Sequence, residues 1–222
     1  MRRSQKLQKA QREANRLTQR KTIDFLTLDE IGRRIAFLKS MGYIQHRQLT
    51  PKGGYASQLH NHEIQTIELL FDGYFDRLDE VQVNMMVAAI CFEPEIGTTY
   101  KPLDRKQLGF DFPVLEKRVQ RLAERQRVFG IQRPFKMLDM NFSGVVHAWS
   151  NGAKFSELVK YTDAGSGDIV RGLRGVIHLL RQLEEVLPNG TELCLKIGRC
   201  IARMNRGVVD AETELVTVQM GG

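Results

Sequence analysis

The sequence predicts a mainly α-helical protein: a helical bundle over residues 61–222, a small winged-helix-like element over 23–60, and a basic helical N-terminal tail over 1–22. Three observations predict it. From Asn61 onward the apolar residues recur at three- and four-residue spacing, the helical period. Asp79 to Phe92 is apolar on nearly every face, the mark of a central, buried helix. Before these lies one helical pattern followed by two short extended stretches around a Pro-Gly bend.

At 222 residues, with 42% hydrophobic and 27% charged side chains, the chain has the composition of an ordinary globular protein with one sizeable core. The longest apolar run, Met85 to Phe92, is too short to span a bilayer, so no membrane partner is expected. Cys91, Cys194 and Cys200 form no Cys-x-x-Cys pair. They read as reduced, structural thiols, and the expected localisation is cytoplasmic.

The tail holds eight basic side chains (Arg2, Arg3, Lys6, Lys9, Arg12, Arg16, Arg20, Lys21) against one acid, Glu13. The whole chain carries a formal charge of +7, so the body from residue 23 on is formally neutral. Any nucleic-acid surface on that body must come from local arrangement. Leu7, Ala10, Ala14 and Leu17 make a short heptad seam, marginal as an isolated helix. Three readings remain: the end of a stalk helix whose partner lies outside this chain, a phosphate-touching arm, or a transit peptide. No apolar central region supports a signal peptide.

Thr27 is a candidate N-cap followed by Asp29 and Glu30, with Ile31, Ile35 and Leu38 at helical spacing and Gly42 as the stop. Tyr43-Ile44 and Gln48 to Leu59, with Pro51-Lys-Gly53-Gly54 as the bend, read as a hairpin. Helix plus hairpin is the back half of a winged helix. Its helix carries Arg33, Arg34 and Lys39 against Asp29 and Glu30, a balance that points to packing more than to DNA.

In the bundle, Asn61 is the expected N-cap of a helix with the stripe Ile64, Ile67, Phe71 and Tyr74. The buried helix from Asp79 ends near Pro94, and Glu95 to Gly109 reads as a loop. Asp111 caps the next helix, with Leu115, Val119 and Leu122 inward and Lys117, Arg118, Arg121 and Arg125 outward. Leu138, Phe142, Val145 and Trp149 line a helix that stops at Asn151-Gly152. A brief helix over Ser156 to Tyr161 precedes a glycine-rich turn with Asp168 as cap.

The helix from Asp168 to Leu187 is the candidate functional element. At 100° per residue, Leu173, Val176, Leu180, Leu183 and Leu187 gather on one side. Arg171, Arg174, His178 and Arg181 form an adjacent strip. Gly172 and Gly175 beside it weaken the helix by roughly 1 kcal/mol each relative to Ala and admit a close neighbour. A basic strip can follow successive phosphates of a single strand, and Arg can stack on bases. The blander reading is a solvated or ion-paired face, with glycines that allow helices to cross; it is the commoner meaning of such strips. Arg171 and Arg174 can each pair with Asp168 or Asp163.

Other chemistry is thin. His60 and His62 beside Glu63 could ligate a metal, but the absence of a second cluster favours an exposed loop pair. His147 reads as a half-buried helical side chain. Asp76, Asp79-Glu80 and Glu184-Glu185 are surface or helix-terminal acids with no acid/base pairing. No Ser or Cys has a nucleophile context. No catalysis and no cofactor are expected of this chain.

Taken in order, Leu28-Asp-Glu-Ile31, Leu49-Thr50-Pro-Lys-Gly-Gly54 and Glu68 to Phe75 are followed by Trp149, Gly152, Phe155, Thr162-Asp163 and Gly167. Arg171, Arg174 and Leu180-Arg181-Gln182 complete the set. Over residues 25 to about 206 this resembles the C-terminal winged-helix and DSHCT segments of superkiller- and exosome-cofactor-type superfamily 2 DExH-box RNA helicases. The resemblance implies an accessory region of an ATP-dependent RNA helicase. Its helix from Asp168 would act as a ratchet helix along single-stranded RNA, and the basic tail would end the stalk of the arch insertion. The implied partners are single-stranded RNA and the helicase motor domains, in cis or in trans. ATP and Mg would belong to the motor, for which this chain has neither a phosphate loop nor an Asp-Glu-x-His motif. The family's base-contacting arginine and glutamate align with Gly175 and His178, so those contacts do not carry over. The alternative is a motor-less nucleic-acid-binding or protein-interaction module acting independently.

Overall fold

The computed structural model describes residues 28–132 and 134–210. Readings of the basic tail and of Thr27 lie outside the described residues. Helix α1 covers residues 28–40 and buries its Phe37. Strands β1 (Ile44–Gln45) and β2 (Gln48–Leu49) pair antiparallel, Ile44 opposite Leu49.

The bend expected at Pro51–Gly54 is instead the first turn of helix α2 (Pro51–Ala56). Three local features select helix. The Thr50 hydroxyl accepts from Gly53 N and donates to Gly42 O, and Pro51 occupies the first turn, where its missing N–H costs nothing. Gly53 lies so close to the backbone just before strand β1 that a Cβ there would sit 2.1 Å from Tyr43 O. The true reversal is at His46 and Arg47, both at positive φ (48° and 65°), the backbone of a tight two-residue hairpin.

Helix α3 (Glu63–Phe71) starts one residue later than expected: His62, at φ 57°, is the N-cap. Asn61 N donates to the Glu63 carboxylate. The apolar stripe breaks at Gly73 (φ 74°), which separates α3 from the short α4 (Tyr74–Arg77) and leaves Phe71 exposed.

Helix α5 (Glu80–Cys91) opens on a capping box of Asp79 and Gln82 and is buried from Val83 to Ile90. It is the central post, packed against the helices described below as α8, α9 and α10. The 95–109 stretch contains a short helix, α6 (Arg105–Leu108), started by an Asp104/Gln107 capping box. Helix α7 (Phe112–Val128) is capped by Asp111 and buries Leu115, Val119 and Leu122 as expected.

Helix α8 covers only Ser143–Ser150. Leu138 and Phe142 are buried but precede it, because two turns intervene, in which Asn141 N donates to the Asp139 carboxylate and Ser143 N to Met140 O. A 3-10 turn (Phe155–Lys160) follows. Then come α9 (Ser166–Val186), α10 (Glu192–Met204) and a closing 3-10 turn (Gly207–Val209). The Trp149 indole donates to Met204 O at 2.8 Å, and the Arg206 guanidinium lies 3.5 Å from that ring, which ties the end of α10 to α8.

One buried carboxylate joins the small N-terminal element to the bundle at several points, beside the Arg125 bond to Ser40 O and the edge-on packing of Phe37 on Phe129. Glu68 of α3 accepts the Tyr43 hydroxyl at 2.7 Å and pairs with Lys52 of α2. It also pairs with Arg118 of α7 at 2.8 Å. Arg118 reaches Asp72 as well, at 2.6 Å, and that bond is the main cause raising its pKa. Burial, then the adjacent Glu68 charge, pushes the Tyr43 phenol well above its ordinary value.

Candidate nucleic-acid interface

Helix α9 carries the strip. Its inward face, Leu173, Val176, Leu180 and Leu183, is fully buried against the core, so the opposite edge is left at the surface. N-cap Gly165 offers no side chain. Asp168, expected as the cap, stands at the third helical position, where a carboxylate favours the positive end of the helix dipole.

The four strip residues differ in what already holds them. Arg171 Nη2 contacts Asp168 Oδ1 at 2.7 Å and Glu95 Oε1 at 3.2 Å, yet its side chain is 69% exposed. Arg174 is half-buried and donates to Val209 O at 3.0 Å and Val208 O at 3.4 Å. It thereby fastens the closing 3-10 turn along α9. His178 and Arg181 are exposed. Asp163, the other foreseen partner for the arginines, accepts from Thr99 N at 2.7 Å. Glu95 lies 76 residues before Arg171, and no sequence signal announces it.

The two glycines beside the strip separate cleanly. A Cβ on Gly172 would lie 2.7 Å from Phe142 Cζ. Phe142 is itself stacked on Phe92 at 4.2 Å, so the neighbour Gly172 admits is an aromatic pair of its own bundle. Gly175 has nothing within 4 Å of a Cβ and faces a cleft of about 470 Å³ shared with Asn61, His62, Tyr100 and Arg171. On the other side of the strip, Arg174, His178, Arg181 and Asn205 line a second cleft of about 250 Å³. Gln182, next to the strip in sequence, turns inward and accepts from His60 N at 2.6 Å.

Near the larger cleft, burial and then Lys136 push His62 below the ordinary histidine value. Burial lifts the Cys91 thiol to about 12, which makes it a poor nucleophile at neutral pH. Cys91, Cys194 and Cys200 are all free thiols. Among the described residues, no group of three or more His, Cys, Asp or Glu side chains could hold a metal ion. No described helix is long and apolar enough to cross a membrane.

The DSHCT (NUC185) domain family matches residues 46–212, which takes in the element from the hairpin turn to beyond α10. The chain belongs to the DSHCT family. Similar proteins include the DExH-box ATP-dependent RNA helicase DExH10 of Arabidopsis thaliana, 28% identical over 200 residues, covering 83% of this chain and 19% of that protein. The ATP-dependent RNA helicase mtr4 of Schizosaccharomyces pombe is 23% identical over 197 residues, covering 85% of this chain and 18% of its own length. The exosome RNA helicase MTR4 of Homo sapiens is 25% identical over 194 residues, with 84% and 18% covered. This DSHCT chain therefore spans about a fifth of the length of these relatives. The mainly helical architecture agrees with DSHCT membership.

Proposed function

We propose that this DSHCT chain serves as the C-terminal accessory region of an ATP-dependent RNA helicase, guiding single-stranded RNA along α9 and bracing the motor domains, in cis or in trans. The observation that carries the reading is the edge of α9, where the exposed Arg171, His178 and Arg181 lie in one row with the half-buried Arg174. Ten residues of helix rise about 15 Å, the length of a few nucleotides. Attraction of such a row to phosphates is sequence-independent and salt-sensitive, and Arg adds base stacking. The naming of the relatives as RNA helicases supports RNA as the strand. ATP and Mg would be held by the motor. Three free thiols suit a reducing, cytoplasmic setting.

Bracing is supported by the exposed side of α1. Leu28 (67% exposed), Ile31 (47%) and Ile35 (40%) recur at helical spacing as an exposed apolar face along α1. Beside it lies an apolar cleft of about 290 Å³ lined by Phe37, Leu38, Ile44, Ala56 and Ile64. Exposed apolar side chains grouped on one helix face suit a protein-binding role.

Fluorescence anisotropy of a labelled single-stranded RNA tests the strip. Arg181→Ala is expected to weaken binding about fivefold, the worth of roughly 1 kcal/mol for one exposed charge contact. The salt slope should fall by about 0.7, as for one lost phosphate contact on a single strand. Unchanged affinity and slope would remove α9 from the RNA path.

A further inference from the structure

The strip is not uniform, and its unevenness has a definite source. At its N-terminal end the Arg171 guanidinium is held by two carboxylates on the same nitrogen, Asp168 from one turn earlier and Glu95 from the loop after α5. The Glu95 loop is braced rather than loose. Thr98 N donates to Glu95 O across Gly97 at φ 85°, a turn that places glycine where only positive φ fits. Its far side is fastened by Thr99 N to Asp163 Oδ1 at 2.7 Å and by the Thr162 hydroxyl to Thr99 O at 2.9 Å. At the other end of the strip, Arg181 is exposed beside an open cleft.

We propose that Glu95 is an acid latch on the RNA strip: it occupies Arg171 until a phosphate of the bound strand displaces it. This inference rests on the α9 reading given above and extends it to how the strip is gated. Asp168 stays with the helix N-terminus, where the backbone dipole favours it. Glu95 arrives from a separate loop, so it is the partner that a phosphate can replace. A phosphate on Arg171 would otherwise stand against two carboxylates, and like charges at such range repel. RNA is therefore gripped first at His178 and Arg181. Arg171 adds its contact only when Glu95 yields, and Glu95 is a positioning residue that sets the affinity of the whole strip.

The test uses residues 1–222 and a fluorescein-labelled oligouridylate, titrated by anisotropy across a range of salt. Glu95→Gln keeps the shape of an exposed side chain and removes its charge. It is expected to tighten binding about fivefold and to steepen the salt slope by about 0.7, one added phosphate contact. In an Arg171→Ala background the same change should produce neither effect. If Glu95→Gln alters nothing in a chain that binds, or gives the same gain without Arg171, the latch is overturned. In that case a loss of affinity in Arg181→Ala would still uphold the strip. If no variant binds the oligonucleotide, the strip and the latch fall together.

Discussion

Gly172 and Gly175 are indistinguishable by pattern, three residues apart on one helix, yet they answer to different forces. Gly172 leaves room for the Phe142 ring, whose Cζ would be 2.7 Å from any Cβ added there. Phe142 cannot swing aside freely, because Phe92 is stacked on it with rings 7° apart. Gly172→Ala is therefore expected to lower stability by about 1–3 kcal/mol through overpacking. Gly175→Ala meets open space and should raise stability by up to about 1 kcal/mol through helix propensity. Urea denaturation of the two variants checks the pair, and a loss in both would contradict this account. Of this, the sequence showed only that both glycines lie beside the strip. Which one touches an aromatic pair depends on residues 30 and 80 positions away.

The element most misread from sequence is the small N-terminal one. Leu-Thr-Pro-Lys-Gly-Gly reads equally as a bend or as a capped helix start, and the choice went to helix because Thr50 binds back to Gly42 and Gly53 rests on Tyr43. The element is then fastened by Glu68, 3% exposed at its side chain, to three partners on three segments. Removing one member of such a set leaves buried charge unmatched. Glu68→Ala is expected to cost about 3 kcal/mol or more, read as a lower chemical-denaturation midpoint. It should also expose the Tyr43 ring to solvent, measurable as a shift in tyrosine fluorescence. A variant as stable as the parent would show that the N-terminal element is held by its other contacts, such as the His60 and Ser40 backbone bonds and the apolar packing, without Glu68.

Across the whole molecule, charge is unevenly distributed along the chain. The tail accounts for the full formal excess of +7, and the body is formally neutral. Deleting residues 1–22 should thus lower nonspecific RNA affinity and flatten its salt dependence. The response to Arg181→Ala and Glu95→Gln should remain. Comparing residues 1–222 with 23–222 by anisotropy separates the two contributions. If the shortened chain loses all binding, the tail alone carries the RNA.

Periodicity alone determined much of this protein. The helical class, the central burial of α5 and the Asp111 and Asp79 helix starts are local, as is the division of α9 into an apolar side and a basic strip. Each depends on residues within a few turns of one another, and the ordered motifs were enough to indicate the DSHCT family. Only tertiary structure decided which strip residues are already engaged. Arg171 meets Glu95, and Arg174 meets the carbonyls of Val208 and Val209. Those partners come from a distant loop and a closing turn, brought together by packing around α5. A charge on a helix face is visible in the sequence, but the group it faces is set by where the rest of the chain folds.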